Sequence, residues 1–247
     1  MDTKEKVLQK CKVEGNVIKL PSEQLERKLY QEVAKALELI GGRWKGGKVF
    51  GFVFASDPTN LLDQIANGEK RNLKKEFQFF ATPDELADQL VVYAELKDGE
   101  RILEPSAGNG AIVKAINRAT GDEDVYCYEL MPVNQIALKN ISTVRFLGED
   151  FLSPNGTGHM QFDKIIANPP FSKNQDIDHV YEMYSRLKTG GRLVSITSKH
   201  WQMSSNSKET QFKEWLNRLG AKIHDIESGI FKDSGTSIAT ALIIIDK

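Results

Sequence analysis

Residues 163–173 read D-K-I-I-A-N-P-P-F-S-K, an apolar run that stops at a side-chain amide followed by two prolines and a phenylalanine. A residue that precedes proline is pushed toward extended backbone, which holds the Asn168 side chain at the tip of the strand before it. Its amide oxygen is an acceptor. Pro169 and Pro170 have no N–H to donate and stiffen the loop, leaving the Pro169 carbonyl as a second acceptor close to the first. Two acceptors fixed around one point suit a planar amino group with two N–H bonds, and Phe171 offers a flat face for a ring to stack on. An exocyclic purine amine is a poor nucleophile because its lone pair is delocalised into the ring. Hydrogen bonds to both N–H groups favour charge on that nitrogen and aim its lone pair. The chemistry is therefore positioning and electrostatics, with no strong base.

Three further stretches could hold the other reactant. L-E-P-S-A-G-N-G-A-I, residues 103–112, puts Gly108 and Gly110 where a tight turn and a close ligand approach precede a helix. Glu129 lies 19 residues past Gly110, where a carboxylate accepts both hydroxyls of a ribose. In G-E-D-F, Asp150 can accept from an adenine amino group and Phe151 can lie on the ring. A pyrophosphate loop needs a third glycine and a bare helix N-terminus. Here that position is Val113, and Glu104 stands at the mouth of the loop, where it repels phosphate and suits a cation. S-adenosylmethionine fits this set, since it carries a ribose, an adenine, an ammonium and a sulfonium, and no phosphate. A lone Gly-x-Gly also marks ordinary structural turns; the three carboxylates at strand ends carry the reading.

These residues need strands to present them and helices to cover the strands. From Phe77 onward, strands are predicted at 101–104, 125–129, 144–147, 164–167, 192–197, 222–226 and 239–245, with helices beginning near Ala111, Pro132, Asp176 and Lys208. A well-capped helix is expected from Thr82-Pro83-Asp84-Glu85. The alternation predicts an α/β fold: a doubly wound, seven-stranded, mostly parallel Rossmann-like sheet that binds ligands beyond the carboxyl ends of its strands. The last two strands have no helix between them and should form an antiparallel hairpin. Ahead of Phe77, Leu25, Leu29, Val33, Leu37 and Ile40 are spaced as a helix that ends at Gly41-Gly42. R-W-K-G-G-K-V-F-G-F-V-F then reads as a hairpin, Asn60 to Asn67 as a short helix, and residues 69–76 as a charged linker. Residues 1–76 are thus expected to form a small α/β module with its linker, and residues 77–247 the larger domain.

The composition, 40% hydrophobic and 27% charged over 247 residues, is ordinary for a globular protein. No secretory signal is visible, and the longest apolar run, Ala239 to Ile245, is too short to cross a bilayer. The two cysteines, Cys11 and Cys127, lack metal-ligand neighbours, so no disulfide scaffold and no metal is expected, and the setting reads as cytoplasmic. Charge is uneven: residues 1–76 hold 15 Lys/Arg against 11 Asp/Glu, and the remainder hold 18 against 23. If the chain has a nucleic-acid surface, the N-terminal third is its expected place; the alternative is that a four-charge excess marks only an ordinary solvated face.

F-F-A-T-P (79–83), L-E-P-S-A-G-N-G (103–110), Y-E-L (128–130), G-E-D-F (148–151) and N-P-P-F (168–171) resemble, in that order, the motifs of class I S-adenosylmethionine-dependent, adenine-N6-specific DNA methyltransferases of the gamma arrangement. The resemblance runs from about Phe77 to the C-terminus. It implies methyl transfer from S-adenosylmethionine to N6 of an adenine flipped out of DNA, in a restriction-modification or mobile-element setting. It implies that Phe80, Thr82, Pro83, Glu104, Pro105, Ala107, Gly108 and Gly110 line the methionine end of the cofactor. Glu129 and Leu130 would serve the ribose side, and Asp150 and Phe151 the adenine. Asn168, also beside the cofactor, Pro169 and Pro170 would hold the target amine, and Phe171 would stack on the flipped base. Phe231, before the last strand, matches a second aromatic of the family and reads equally as a ring packed on the sheet.

The gamma enzymes usually carry a long target-recognition domain after this fold, whereas this chain ends on its last strand. Sequence readout is then expected from residues 1–76, from a separate specificity subunit, or hardly at all. The N-terminal segment resembles a small module found ahead of methyltransferases on phages and mobile elements. Its Arg43, Lys45 and Lys48 would contact phosphates, or its hairpin would be a structural cover with Trp44 in the core. Asn-Pro-Pro-aromatic sites also serve methylation of RNA base amines and of protein glutamine amides. A non-catalytic binding module for S-adenosylmethionine or DNA is the reading from another class.

Overall fold

The computed structural model describes residues 3–54, 57–77, 81–153, 160–226, 230–231 and 238–247. The chain divides into two compact units, Met1–Phe79 and Phe80–Lys247.

The first unit opens with α1 (Lys4–Lys10), capped by the Thr3 hydroxyl, which accepts from the Lys6 N–H at 3.4 Å. Then come β1 (Lys12–Glu14), β2 (Val17–Lys19), α2 (Arg27–Leu39), β3 (Arg43–Lys45), β4 (Gly51–Val53), α3 (Thr59–Ala66) and α4 (Leu73–Glu76). Its strands form one antiparallel sheet in the order β1-β2-β4-β3. Ile18, Phe52, Val33, Leu37, Leu62 and Ile65 bring sheet and helices together in one buried cluster. The stop after α2 is set by space as well as by conformation. A Cβ at Gly42 would lie 2.7 Å from the Phe54 ring and 2.9 Å from the Leu37 carbonyl oxygen.

The β3–β4 hairpin lies where the aromatic and β-branched pattern places it. The elements α1, β1 and β2 have no such pattern, because α1 buries only Val7 and Leu8 and each strand is three residues long. The stretch read as a linker ends in α4, whose Asn72 side chain accepts from the Lys75 N–H at 3.1 Å.

In the second unit α5 (Asp84–Ala94) leads to β5 (Ile102–Glu104), α6 (Ala111–Thr120), β6 (Val125–Tyr128), α7 (Pro132–Lys139), β7 (Val144–Gly148) and β8 (Phe162–Ala167). A 3-10 turn at Ser172–Asn174 follows, then α8 (Gln175–Arg186), β9 (Leu187–Ser198), α9 (His200–Met203), α10 (Ser207–Leu219), β10 (Lys222–Asp225) and β11 (Thr240–Asp246). Among the described residues seven strands form one sheet, ordered β10-β11-β9-β8-β5-β6-β7. The pairs from β9 through β7 are parallel, and β11 runs antiparallel between β9 and β10. This is the predicted doubly wound sheet, with its terminal hairpin.

Alternation along each strand explains why the runs are apolar throughout. Ile102, Ile166, Val194, Ile196, Leu242 and Ile244 face a cluster shared with α5 and α6. Leu103, Ile165, Leu193, Ile243 and Ile245 face the opposite cluster, shared with α8 and α10. A strand covered on both faces has no polar side to show. The chain builds β5, β6 and β7 outward on one side, then returns to lay β8 against the other side of β5. That reversal makes the tips of β5 and β8 the switch point of the sheet, beyond which ligands usually bind in folds of this kind.

Candidate active site

Glu104 ends β5 with only 1% of its surface exposed. The Val113 backbone N–H bonds to its carboxylate, but Oε2 has no partner among the described residues. Burial, and then the charge of Glu129, push its pKa well above the ordinary carboxylate range. A buried carboxylate in this state is costly unless a proton or a cation meets it.

The loop after β5 is stitched to β6. Ala107 N–H donates to the Tyr128 carbonyl at 3.0 Å, Gly110 N–H to the Ala107 carbonyl at 2.8 Å, and Gly108 N–H to Glu129 Oε2 at 2.7 Å. Gly110 has a left-handed φ of 80°, and a Cβ there would lie 3.1 Å from Ile141 Cδ1 and 3.2 Å from Leu138 Cδ2. Pro105 and Ala107 are buried in the turn. Glu129 Oε1 accepts from the Met131 N–H at 2.8 Å and from Asn134 Nδ2 at 3.2 Å. Burial raises the Glu129 pKa, and these hydrogen bonds oppose the rise.

Beyond β6, Leu130 is 50% exposed. Asp150 is exposed, with Oδ1 accepting from the Leu152 N–H at 3.0 Å. Phe151 is turned into the core, edge-on to Tyr128 at 5.3 Å and under the Arg186 guanidinium at 4.8 Å.

At the tip of β8, Asn168 Nδ2 donates to Thr82 Oγ1 at 3.0 Å. Its Oδ1 is buried and has no partner among the described residues. Thr82 Oγ1 thus accepts from Asn168, and the N-cap position falls on Pro83, which has no side-chain acceptor. α5 starts at Asp84 with Pro83 as its N-cap and no side-chain cap bond, so the capping expected at this helix start is not made. Pro169 is buried and Pro170 half-buried. Phe171, expected to present a flat face, is only 8% exposed and belongs to the apolar cluster of α5 and α6, as does the buried Phe231. Phe80 and residues 232–237 lie outside the described residues. Arg43, Lys45 and Lys48 are exposed on the first unit.

Several supports have little trace in the sequence. Asp176, eight residues past Asn168 and fully buried, accepts from both the N–H and the Oγ of Ser198 at 2.9 Å, tying α8 to the end of β9. His179 Nδ1 lies 3.4 Å from Ser106 Oγ, and burial pushes this imidazole down to about 4, so it is neutral at physiological pH. Lys173 and Asn174 both take left-handed backbone, at φ 56° and 58°. α10 holds this strained turn, with Glu209 Oε1 accepting from Asn174 Nδ2 at 2.9 Å. An acid at the start of the helix after N-P-P-F is the one visible signal, and its Ser198 partner emerges only with the fold. Asp176→Ala should cost about 1–3 kcal/mol by leaving a buried N–H unpaired. The expected readout is a lower urea midpoint at unchanged slope.

Among the described residues no helix is long and apolar enough to cross a membrane, and no group of three or more His, Cys, Asp or Glu could hold a metal ion.

The sequence model of the N-6 DNA methylase family matches residues 60–201, more than half of the chain. This chain belongs to the N-6 DNA methylase family. The family match opens within α3, ahead of Phe77, and closes within α9, short of the last two strands. It takes in Glu104, Glu129, Asp150, Asn168 and Asp176.

Among solved structures, this N-6 DNA methylase family member is similar to the M protein of the type I restriction enzyme EcoKI. The TM-score is 0.58 at 15% identity, over 91% of this chain and 55% of that one. It is similar also to a modification subunit of a putative type I restriction enzyme from Vibrio vulnificus YJ016, with TM-score 0.56 at 14% identity, over 91% and 50%. The chain thus spans about half the length of these two. A putative class I S-adenosylmethionine-dependent methyltransferase from Listeria monocytogenes gives TM-score 0.53 at 14% identity, over 76% and 67%. At these identities the likeness is one of fold.

Proposed function

We propose that the protein transfers a methyl group from S-adenosylmethionine to N6 of adenine in DNA. The observation that carries this reading is the Asn168 amide at the tip of β8, held through its nitrogen by Thr82 while its oxygen is buried with no partner among the described residues. The cofactor, when bound, supplies a methyl group on a positively charged sulfur. Glu104 would receive the cofactor's cationic end, which gives the unpartnered Oε2 a partner. Phe80, Thr82, Pro83, Pro105, Ala107, Gly108 and Gly110 would line the methionine portion. Glu129 would take the ribose hydroxyls, Asp150 the adenine amine, and Leu130 would lend apolar surface. With its ring in the core, Phe151 would serve by bracing Tyr128 beside the loop.

Asn168 Oδ1 and the Pro169 carbonyl would accept the two N–H bonds of the target adenine, concentrating its lone pair on nitrogen, and Pro170 would keep them fixed. The methylated nitrogen is strongly acidic and releases its proton to solvent, so none of these residues needs to act as a base. Reaching the site means flipping the base, at a few kcal/mol. Phe171 would stack on that base only after leaving its cluster. Residues 77–247 would form the methyltransferase domain and residues 1–76 an accessory module. Recognition of flanking sequence would fall to a separate specificity subunit, a reading supported by the likeness to type I M and modification subunits.

The test is tritiated methyl transfer offered side by side to adenine-containing DNA, to RNA and to protein. Label should appear in DNA. Label confined to RNA or protein would reassign the machinery to an RNA base amine or a glutamine amide. Cofactor binding with no transfer to any of the three would point to a regulator.

A further inference from the structure

We propose that the solvent face of the four-stranded sheet in the first unit binds the phosphate backbone of duplex DNA; this rests on the reading that DNA is the substrate. The face follows from the register. Val13, Ile18, Phe52 and Trp44 lie opposite one another across the sheet, and buried Ile18 and Phe52 mark that side as the core side. Residues one position away lie on the opposite face, where Lys12, Glu14, Arg43 and Lys45 are exposed and Val17, Lys19 and Val53 half-buried. On that outer face Lys12 stands directly opposite Lys19, and Lys45 is the partner of Gly51. The Lys19 stem crosses Gly51, its Cδ 3.2 Å from where a Cβ there would be, and its Nζ donates to the Val49 carbonyl. Three lysines therefore share one cross-strand row, with the glycine leaving room between them. Arg43, two residues before Lys45, lies on the same face.

Directly opposed like charges destabilise a sheet. Among the described residues none of these four cations is ion-paired. Glu14 is the one acid of the strands on this face, at the far edge of the sheet from Arg43. A surface that bears unneutralised, self-repelling cations is complementary to a polyanion. Four strands about 4.8 Å apart carry the row across about 14 Å, or roughly four duplex steps of ~3.4 Å. Among the described residues the strands put no aromatic side chain on this face, since Trp44 and Phe52 lie on the other side of the sheet. The face offers phosphate contacts without the stacking platforms that favour single strands.

The test uses the full chain, a fluorescent duplex of arbitrary sequence and a salt titration. The combined variant Lys12→Ala, Arg43→Ala and Lys45→Ala removes three exposed side chains. It should bind more weakly and flatten the slope of log K against log salt by about 2.7, at ~0.9 per phosphate contact. Glu14→Gln should tighten binding severalfold. An unchanged slope in the triple variant would overturn the inference, as would a loss seen only with single-stranded DNA, with RNA or with an acidic protein. The wild-type transfer assay separates the two readings. If wild type labels DNA and the triple variant keeps its slope, only this face is refuted. Label confined to RNA refutes the substrate reading, whatever the slope.

Discussion

Replacing Asn168 with alanine should lower kcat on DNA by about 10²–10³-fold, or ~3–4 kcal/mol, while calorimetry finds cofactor affinity little changed. The asymmetry follows from where the amide points. Its nitrogen is engaged by Thr82 at 3.0 Å, so the side chain cannot turn freely, and its oxygen is a buried acceptor left without a partner among the described residues at the tip of β8. An interaction that strengthens as charge develops on the attacking nitrogen contributes to the transition state more than to the bound ground state, and its loss appears in kcat. Thr82→Val should give a weaker form of the same defect, since the amide stays but loses its tether. Unchanged turnover in Asn168→Ala would remove the assigned role.

Glu104→Gln should weaken cofactor binding by about 100-fold or more, in line with the ~2–5 kcal/mol lost when one member of a buried charge pair is removed. Wild type should also show a pH dependence that the variant lacks. Burial and Glu129 raise the Glu104 pKa, so the cofactor-free carboxyl holds its proton to higher pH than an exposed glutamate does. A cation favours the ionised form. Affinity should therefore fall as pH drops through the raised pKa, and binding below it should release a proton, measurable by calorimetry in buffers of different ionisation enthalpy. Stability moves in the opposite sense. A carboxyl whose pKa is raised on folding contributes least once pH exceeds its folded-state value. The cofactor-free Glu104→Gln protein should therefore melt at a temperature equal to or above wild type at pH 8, and lose that advantage at pH 5. A variant that binds cofactor as well as wild type, with the same pH profile, would exclude Glu104 as the cation receiver.

Much of the second unit is legible in the sequence, because strands buried on both faces leave unbroken apolar runs. Leu103 and Ile102 face opposite clusters and both must be apolar. The strand-end polar residues stand out against such runs, which is why Glu104, Glu129 and Asn168 can be found without coordinates. Orientation is what sequence does not carry. Phe151 and Phe171 are aromatic rings beside candidate ligand sites, and whether a ring faces the ligand or the core depends on neighbours supplied by other elements. Tyr128 and Arg186 enclose the first, and the cluster under α5 and α6 takes in the second. Thr82 illustrates the same limit. Local rules make it a helix-start residue, and a contact 86 positions away decides where its hydroxyl goes. In the first unit, the Lys12–Lys19 row exists only once the register is known, since K-V-E and V-I-K have no period to read.

Nucleoside analysis of DNA after incubation with labelled S-adenosylmethionine tests the central claim most directly, because it reports which atom received the methyl group. DNA treated with the wild-type protein should yield N6-methyldeoxyadenosine, and DNA treated with Asn168→Ala almost none. Label recovered as a methylated cytosine, or N6-methyldeoxyadenosine formed equally by the Asn168→Ala protein, would contradict the account.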